Sequence, residues 1–166
     1  MPNKLKNTTL TRRKRYVPDL ALDMAECDTN YVRLMRLFPE MHSAPDRTFG
    51  VRGQMDDGAV VTISILERCR YTTMVEVQVE SDEAQERPWL KWPFIEVRVY
   101  HDLQSAEVVR FERHRVAKYR YDVPNQGMYQ PDEKSQINRF FGELLTFCLA
   151  HGYSMDPIDL GNSPKS

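Results

Sequence analysis

From Asp19 the apolar positions Leu20, Met24, Cys27, Tyr31, Leu34 and Phe38 recur at alternating spacings of four and three residues, which traces one stripe down an α-helix. The stripe points at the core and predicts a helix ending near Pro39. Asp28, in Asp28-Thr29-Asn30, has the chemistry of an N-cap, so two shorter helices sharing that face are an alternative. The period then changes from helical to alternating. Residues 48–54 and 59–66 flank Asp56-Asp57-Gly58, whose Asp-Gly pair supplies the positive φ angles of a tight hairpin. Val61, Ile63 and Ile65 take one face and Thr62 and Ser64 the other, and Val75, Val77 and Val79 alternate in the same way with Glu76, Gln78 and Glu80. After an acidic, proline-ended stretch at 81–88, Ile95, Val97 and Val99 alternate with Glu96, Arg98 and Tyr100. Residues 106–111 return as a partner strand across His101-Asp102-Leu103-Gln104. Helical spacing resumes at Ile137, Phe140, Phe141, Leu144, Leu145 and Cys148. Pro131, Asp132 and Glu133 open this helix and Gly152 closes it, and its early acids and late His151 suit the helix dipole.

Four or five consecutive strands, each apolar on one face, make an antiparallel meander, and the N-terminal and C-terminal helices are the obvious cover for that face. The expected fold is a two-layer α+β domain over residues 15–152, with a flexible basic arm at 1–14 and a flexible tail at 153–166. The other sheet face would present Thr62, Ser64, Glu76, Gln78, Glu96, Arg98 and Tyr100 to solvent, unless a partner or the segment 113–121 lies across it.

Composition adjusts this picture in three ways. At 166 residues and 41% hydrophobic content the chain supports one core, and no apolar run approaches the length of a membrane span. A cytoplasmic protein with no membrane association is expected. Cys27, Cys69 and Cys148 are odd in number and widely spaced, which fits reduced, mostly buried thiols better than a disulfide framework. The net charge of −1 conceals an asymmetry: residues 1–15 hold six of the 23 basic residues and no acid, leaving 17 basic against 24 acidic residues, a net of −7, in the body. A basic arm on an acidic body can bind polyanions, fold back on the body or stay solvated.

Motifs of the common enzyme classes are absent: there is no phosphate-binding P-loop, no G-x-S-x-G elbow, no H-E-x-x-H and no paired C-x-x-C. No cofactor and no metal are expected. His101-Asp102 has the residue types of a metal or acid–base dyad, yet His42, His114 and His151 have no ligand spacing to it. The stretch VVRFERHRVAKYRY interleaves Arg110, Arg113, Arg115, Lys118 and Arg120 with Phe111, Tyr119 and Tyr121, a composition that can grip phosphates and stack bases. Its structural counterpart is a basic strand face paired internally with Glu96 and Glu112. Downstream, Asp122-Val123-Pro124-Asn125-Gln126-Gly127 is turn chemistry that delivers the chain to a helix start, with Lys134, Gln136 and Asn138 placed toward solvent.

The segments KRYVPDL (14–20), RYTT (70–73), VRVYHD (97–102), RYDVPN (120–125) and DEKSQIN…CLAHG (132–152) resemble the YqiB-like proteins, a proteobacterial family of unknown function. The resemblance implies a small cytoplasmic protein with at most a loose connection to nucleotide metabolism, and no family catalytic assignment comes with it. The matched positions with chemistry to offer are Arg15, Tyr16 and Asp19; Arg70, Tyr71 and Thr72; Arg98, Tyr100, His101 and Asp102; Arg120, Tyr121, Asp122 and Asn125; and Asp132, Glu133, Lys134 and Asn138.

Two functions are open at this level. One is a binding or regulatory module that recognises a protein partner or an anionic ligand, nucleotide or RNA, through Arg98, Tyr100, His101, Arg120, Tyr121, Asp122, Asn125, Asp132, Glu133, Lys134 and Asn138. The other is a hydrolase or transferase acting on a phosphorylated small molecule, with His101 as acid or base, Asp102 or Asp122 orienting it and Arg98 clamping the anion. The first is favoured because no nucleophile–base or metal array accompanies the clustered Arg and Tyr.

Overall fold

A computed structural model describes residues 17–53, 58–81, 92–112 and 131–156. Helix α1, Leu20–Leu37, is one uninterrupted helix. Asp19 caps it by accepting a hydrogen bond from the Leu22 amide at 3.1 Å. The break considered at Asp28-Thr29-Asn30 does not occur: the Thr29 hydroxyl donates back to the Ala25 carbonyl at 2.7 Å, within the helix. Pro39, which lacks an amide hydrogen, follows the last bonded residue, Phe38.

Five antiparallel strands follow: β1 (Asp46–Arg52), β2 (Gly58–Arg68), β3 (Thr72–Ser81), β4 (Phe94–Tyr100) and β5 (Ser105–Glu112). They pair in chain order as the alternation predicted, although Asp56 and Asp57 of the expected first turn lie outside the described residues. The β4–β5 turn is at the expected residues, with Gln104 at φ 53. The sheet has one strand more than expected. After helix α2, Pro131–His151, the residues Gly152–Tyr153 form β6 and pair antiparallel with Gly50 and Val51 of β1. The order is β5-β4-β3-β2-β1-β6. Gly50 is needed there because the Tyr153 ring occupies the place of a side chain.

One sheet face and both helices enclose the core. Val61, Ile63, Val75, Val77, Ile95, Val97, Val99, Ala106 and Val108 line the sheet side, and Leu34, Phe38, Phe141, Leu144, Leu145 and Cys148 meet them from above. A fully buried Leu or Phe contributes about 1.5–3 kcal/mol, so this cluster supplies most of the driving force. The two helices lie side by side and run in the same direction. Asp23 of α1 meets Ser135 of α2, Asn30 meets Asn138, and Arg36 and Leu37 share a cavity with Cys148 and Leu149. A side chain at Gly142 would collide with Glu26, Asn30 and Arg33, so this glycine sets how closely the helices approach.

The stripe of α1 departs from expectation at its start. Leu20 and Met24 are 70% and 59% exposed, while Leu34 and Phe38 are fully buried. The periodic face of α1 therefore continues past the part of it that is buried.

Candidate functional site

Cross-strand register defines what the helix-free face displays. Asp46 stands opposite Ser64, Ser64 opposite Glu76, Glu76 opposite Glu96 and Glu96 opposite Arg110, which makes one row across all five main strands. A parallel row holds Thr48, Thr62 and Gln78, and another holds Glu67, Met74, Arg98 and Glu107. Their side chains are exposed or half-buried, and among the described residues no helix packs on them apart from Glu107 on the edge strand, which reaches Lys134 of α2.

The centre of this face is acidic. Two carboxylates directly opposite each other on neighbouring strands repel. Here the opposition is relieved on one side only: Arg110 pairs with Glu96 at 3.1 Å and with Glu112 at 2.7 Å, as the structural reading of the basic strand anticipated. Hydrogen bonding to these two carboxylates raises the Arg110 pKa further. Glu76 accepts a hydrogen bond from Gln78 and, among the described residues, has no cation.

The expected site residues divide into three groups. Arg98 and Tyr100 are on the helix-free face; Arg98 is exposed and its Nε–H donates to Met74 Sδ at 3.4 Å. Glu107, opposite Arg98 in register, forms an ion pair with Lys134, which fastens the start of α2 to β5, one strand away from Arg98. Asp132 is half-buried and Glu133 exposed within the first turn of α2. Arg120, Tyr121, Asp122 and Asn125 lie outside the described residues.

Asn138 corrects the sequence reading, which placed it toward solvent. It is 5% exposed and its side chain is fully engaged: Oδ1 accepts from the Val108 amide at 2.9 Å and Nδ2 donates to the Lys134 carbonyl at 3.1 Å. Its own carbonyl accepts from Asn30 Nδ2 at 2.9 Å. Asn138 therefore ties α2 to the edge strand β5 and to α1, with both of its side-chain polar atoms engaged within the fold. The signal was available in the spacing, since Asn138 is in helical phase with Phe141, Leu145 and Cys148, and Asn30 with Leu34.

His101 is half-buried where β4 meets its turn. Its Nε2 is 2.8 Å from Thr73 Oγ1, and its Nδ1 is buried without a hydrogen-bond partner. The ring packs edge-on against Tyr31, with centroids 6.1 Å apart, and tilted against His42 at 4.5 Å. Burial, then the neighbouring His42, hold its pKa below the ordinary histidine value of 6.5, opposed by Asp102. Asp102 is exposed, and among the described residues no carboxylate hydrogen-bonds His101. The pairing of His42 with His101 has no counterpart in their sequence spacing. No group of three or more metal-capable side chains forms among the described residues.

Comparison with known proteins agrees with the resemblance in the motifs. A family model described as "Protein of unknown function (DUF1249)" matches residues 33–154. The "Uncharacterized protein YqiB" of Escherichia coli strain K12 is 37% identical over 145 residues, covering 87% of this chain and 99% of that protein. The protein of the same name from E. coli O157:H7 matches with the same identity and coverage. No solved structure matches. Among the described residues no helix is long and apolar enough to cross a membrane.

Proposed function

The chain belongs to DUF1249, a family of proteins of unknown function, and for it we propose the role of a cytoplasmic, non-catalytic interaction module that docks a protein partner on the helix-free face of its sheet. The observation that carries this is the opposition of Glu76 and Glu96 at the centre of that face, with a cation, among the described residues, on Glu96 alone. A fold selected only for stability gains by replacing one of two facing carboxylates. A partner presenting Lys or Arg relieves the repulsion on docking, and charge complementarity of this kind favours its approach and orientation. Phosphate groups would meet Asp46, Glu67, Glu76 and Glu96, so a basic protein surface suits the face better than RNA or a nucleotide.

Glu76→Lys tests the assignment without threatening the fold, because the new cation faces Glu96 and forms a favourable cross-strand pair. The expected result is one defined partner retained by the wild-type chain, lost from Glu76→Lys and weakened in Glu76→Gln, with melting temperatures of the variants equal to or above wild type. Retention of the same partner by Glu76→Lys would exclude this face. RNA or nucleotide binding to the wild-type chain that weakens with salt, with no protein partner, would move the function to an anionic ligand.

A further inference from the structure

On the helix side of the sheet, at the end where both helices finish, Arg36 and Arg47 line a cavity of about 180 Å³ together with Phe49, Leu149, Tyr153 and Ser154. Among the described residues neither arginine makes an ion pair, and no carboxylate lines the cavity. Arg47 is the informative one. It alternates in phase with Phe49 and Val51, so β1 directs it to the buried side of the sheet, and its Nε is buried with no hydrogen-bond partner. A desolvated guanidinium donor without an acceptor is unfavourable, and such groups in native folds are normally answered by a ligand, an ion or a carboxylate. The helix carbonyl ends nearby favour cations and account for two guanidiniums sharing one small space. They accept nothing from Arg47 Nε, however.

We infer that this cavity binds a small organic or inorganic oxyanion, a carboxylate or phosphate group held by the Arg36 and Arg47 guanidiniums, with any compact apolar body packed on Phe49 and Leu149. Two planar guanidiniums suit paired oxygen atoms, which is the geometry in which arginine surpasses lysine. The volume of about 180 Å³ admits a group the size of phosphate or benzoate. The cavity is on the opposite side of the sheet from the acidic face, so it neither supports nor depends on the partner proposed there.

The test is titration of the full chain in low-salt buffer with inorganic phosphate and, separately, with sodium benzoate, followed by amide chemical shifts. Each probe runs to about 20 mM, a range that captures the millimolar affinity expected of one small anion. Saturable shifts centred on Arg47, Gly152, Tyr153 and Ser154 for either probe are expected. In Arg47→Gln and Arg36→Gln the affinity falls at least about tenfold, a loss of about 1.4 kcal/mol. Arg47→Lys does not restore it. The site on Arg36 is exposed, so Arg36→Gln folds even if Arg47→Gln does not. No saturable shift with either probe, or shifts unchanged in Arg36→Gln, overturns the assignment and leaves Arg47 as an inward charge guarding the part of β1 that β6 does not pair with.

Discussion

Replacing Asn138 with alanine removes two hydrogen bonds, to the Val108 amide and the Lys134 carbonyl, at a position 5% exposed. The two losses are unequal. The Lys134 carbonyl lies in the interior of the helix ladder, so losing the Asn138 donor there costs about 0.5–1 kcal/mol. The Val108 amide is buried on an edge strand and is left with no acceptor, which costs about 1–3 kcal/mol. The Asn30 bond to the Asn138 backbone carbonyl survives the substitution. The expected total is about 1.5–4 kcal/mol, which for a chain of this size lowers the melting temperature by about 3–16 °C. Thermal denaturation measures the total, and amide hydrogen exchange locates it: Val108 should exchange faster by more than residues of β2 and β3. Ser135→Ala, which removes a single bond to Asp23, is the comparison and should cost about 1 kcal/mol or less. A loss below about 1 kcal/mol in Asn138→Ala, or unchanged exchange at Val108, would refute the view that this amide fastens α2 to the sheet edge.

Two further outcomes follow from the titratable groups. Because burial and His42 hold the folded His101 below 6.5, the unfolded chain takes up its proton first; stability therefore falls as pH drops through 6.5 and levels off below the folded pKa. Denaturant melts at several pH values should show this limb, and His101→Gln should flatten it. Among the thiols, burial pushes Cys148 up to about 11, and burial with Glu107 pushes Cys27 to about 11, whereas Cys69 is exposed. A disulfide reagent at pH 8 should label Cys69 within the native state and Cys148 only as the chain unfolds; fast labelling of Cys148 would contradict its place in the core.

The sheet was legible because it has one dry face: Val61-Ile63, Val75-Val77 and Ile95-Val97-Val99 alternate cleanly, and short connections leave only a meander. Periodicity gives the direction of a helix face, though not how far the layer beneath it extends, which is why Leu20 and Met24 read as core and are exposed. Two residues carry no period, so β6 was invisible. The chemistry was harder. Glu76 and Glu96 were both assigned to the solvent face, but their opposition depends on the register between β3 and β4, which the intervening residues do not encode. Arg47 and Asn138 were each detectable as a polar residue in phase with apolar ones, a pattern that reports a side chain turned to the core side of its element, partnered at Asn138 and unanswered at Arg47 Nε.

The order in which the chain is made has a consequence for its synthesis. The five strands of the meander are complete at Glu112, but Phe141, Leu144, Leu145 and Cys148 arrive only with α2, and the clasp of Tyr153 on Gly50 comes later still. A nascent chain emerging from the ribosome therefore holds hairpins that can pair locally while half of their roof is still in the tunnel. During that interval the valine-rich side of the sheet is the surface a chaperone, or another nascent copy, encounters.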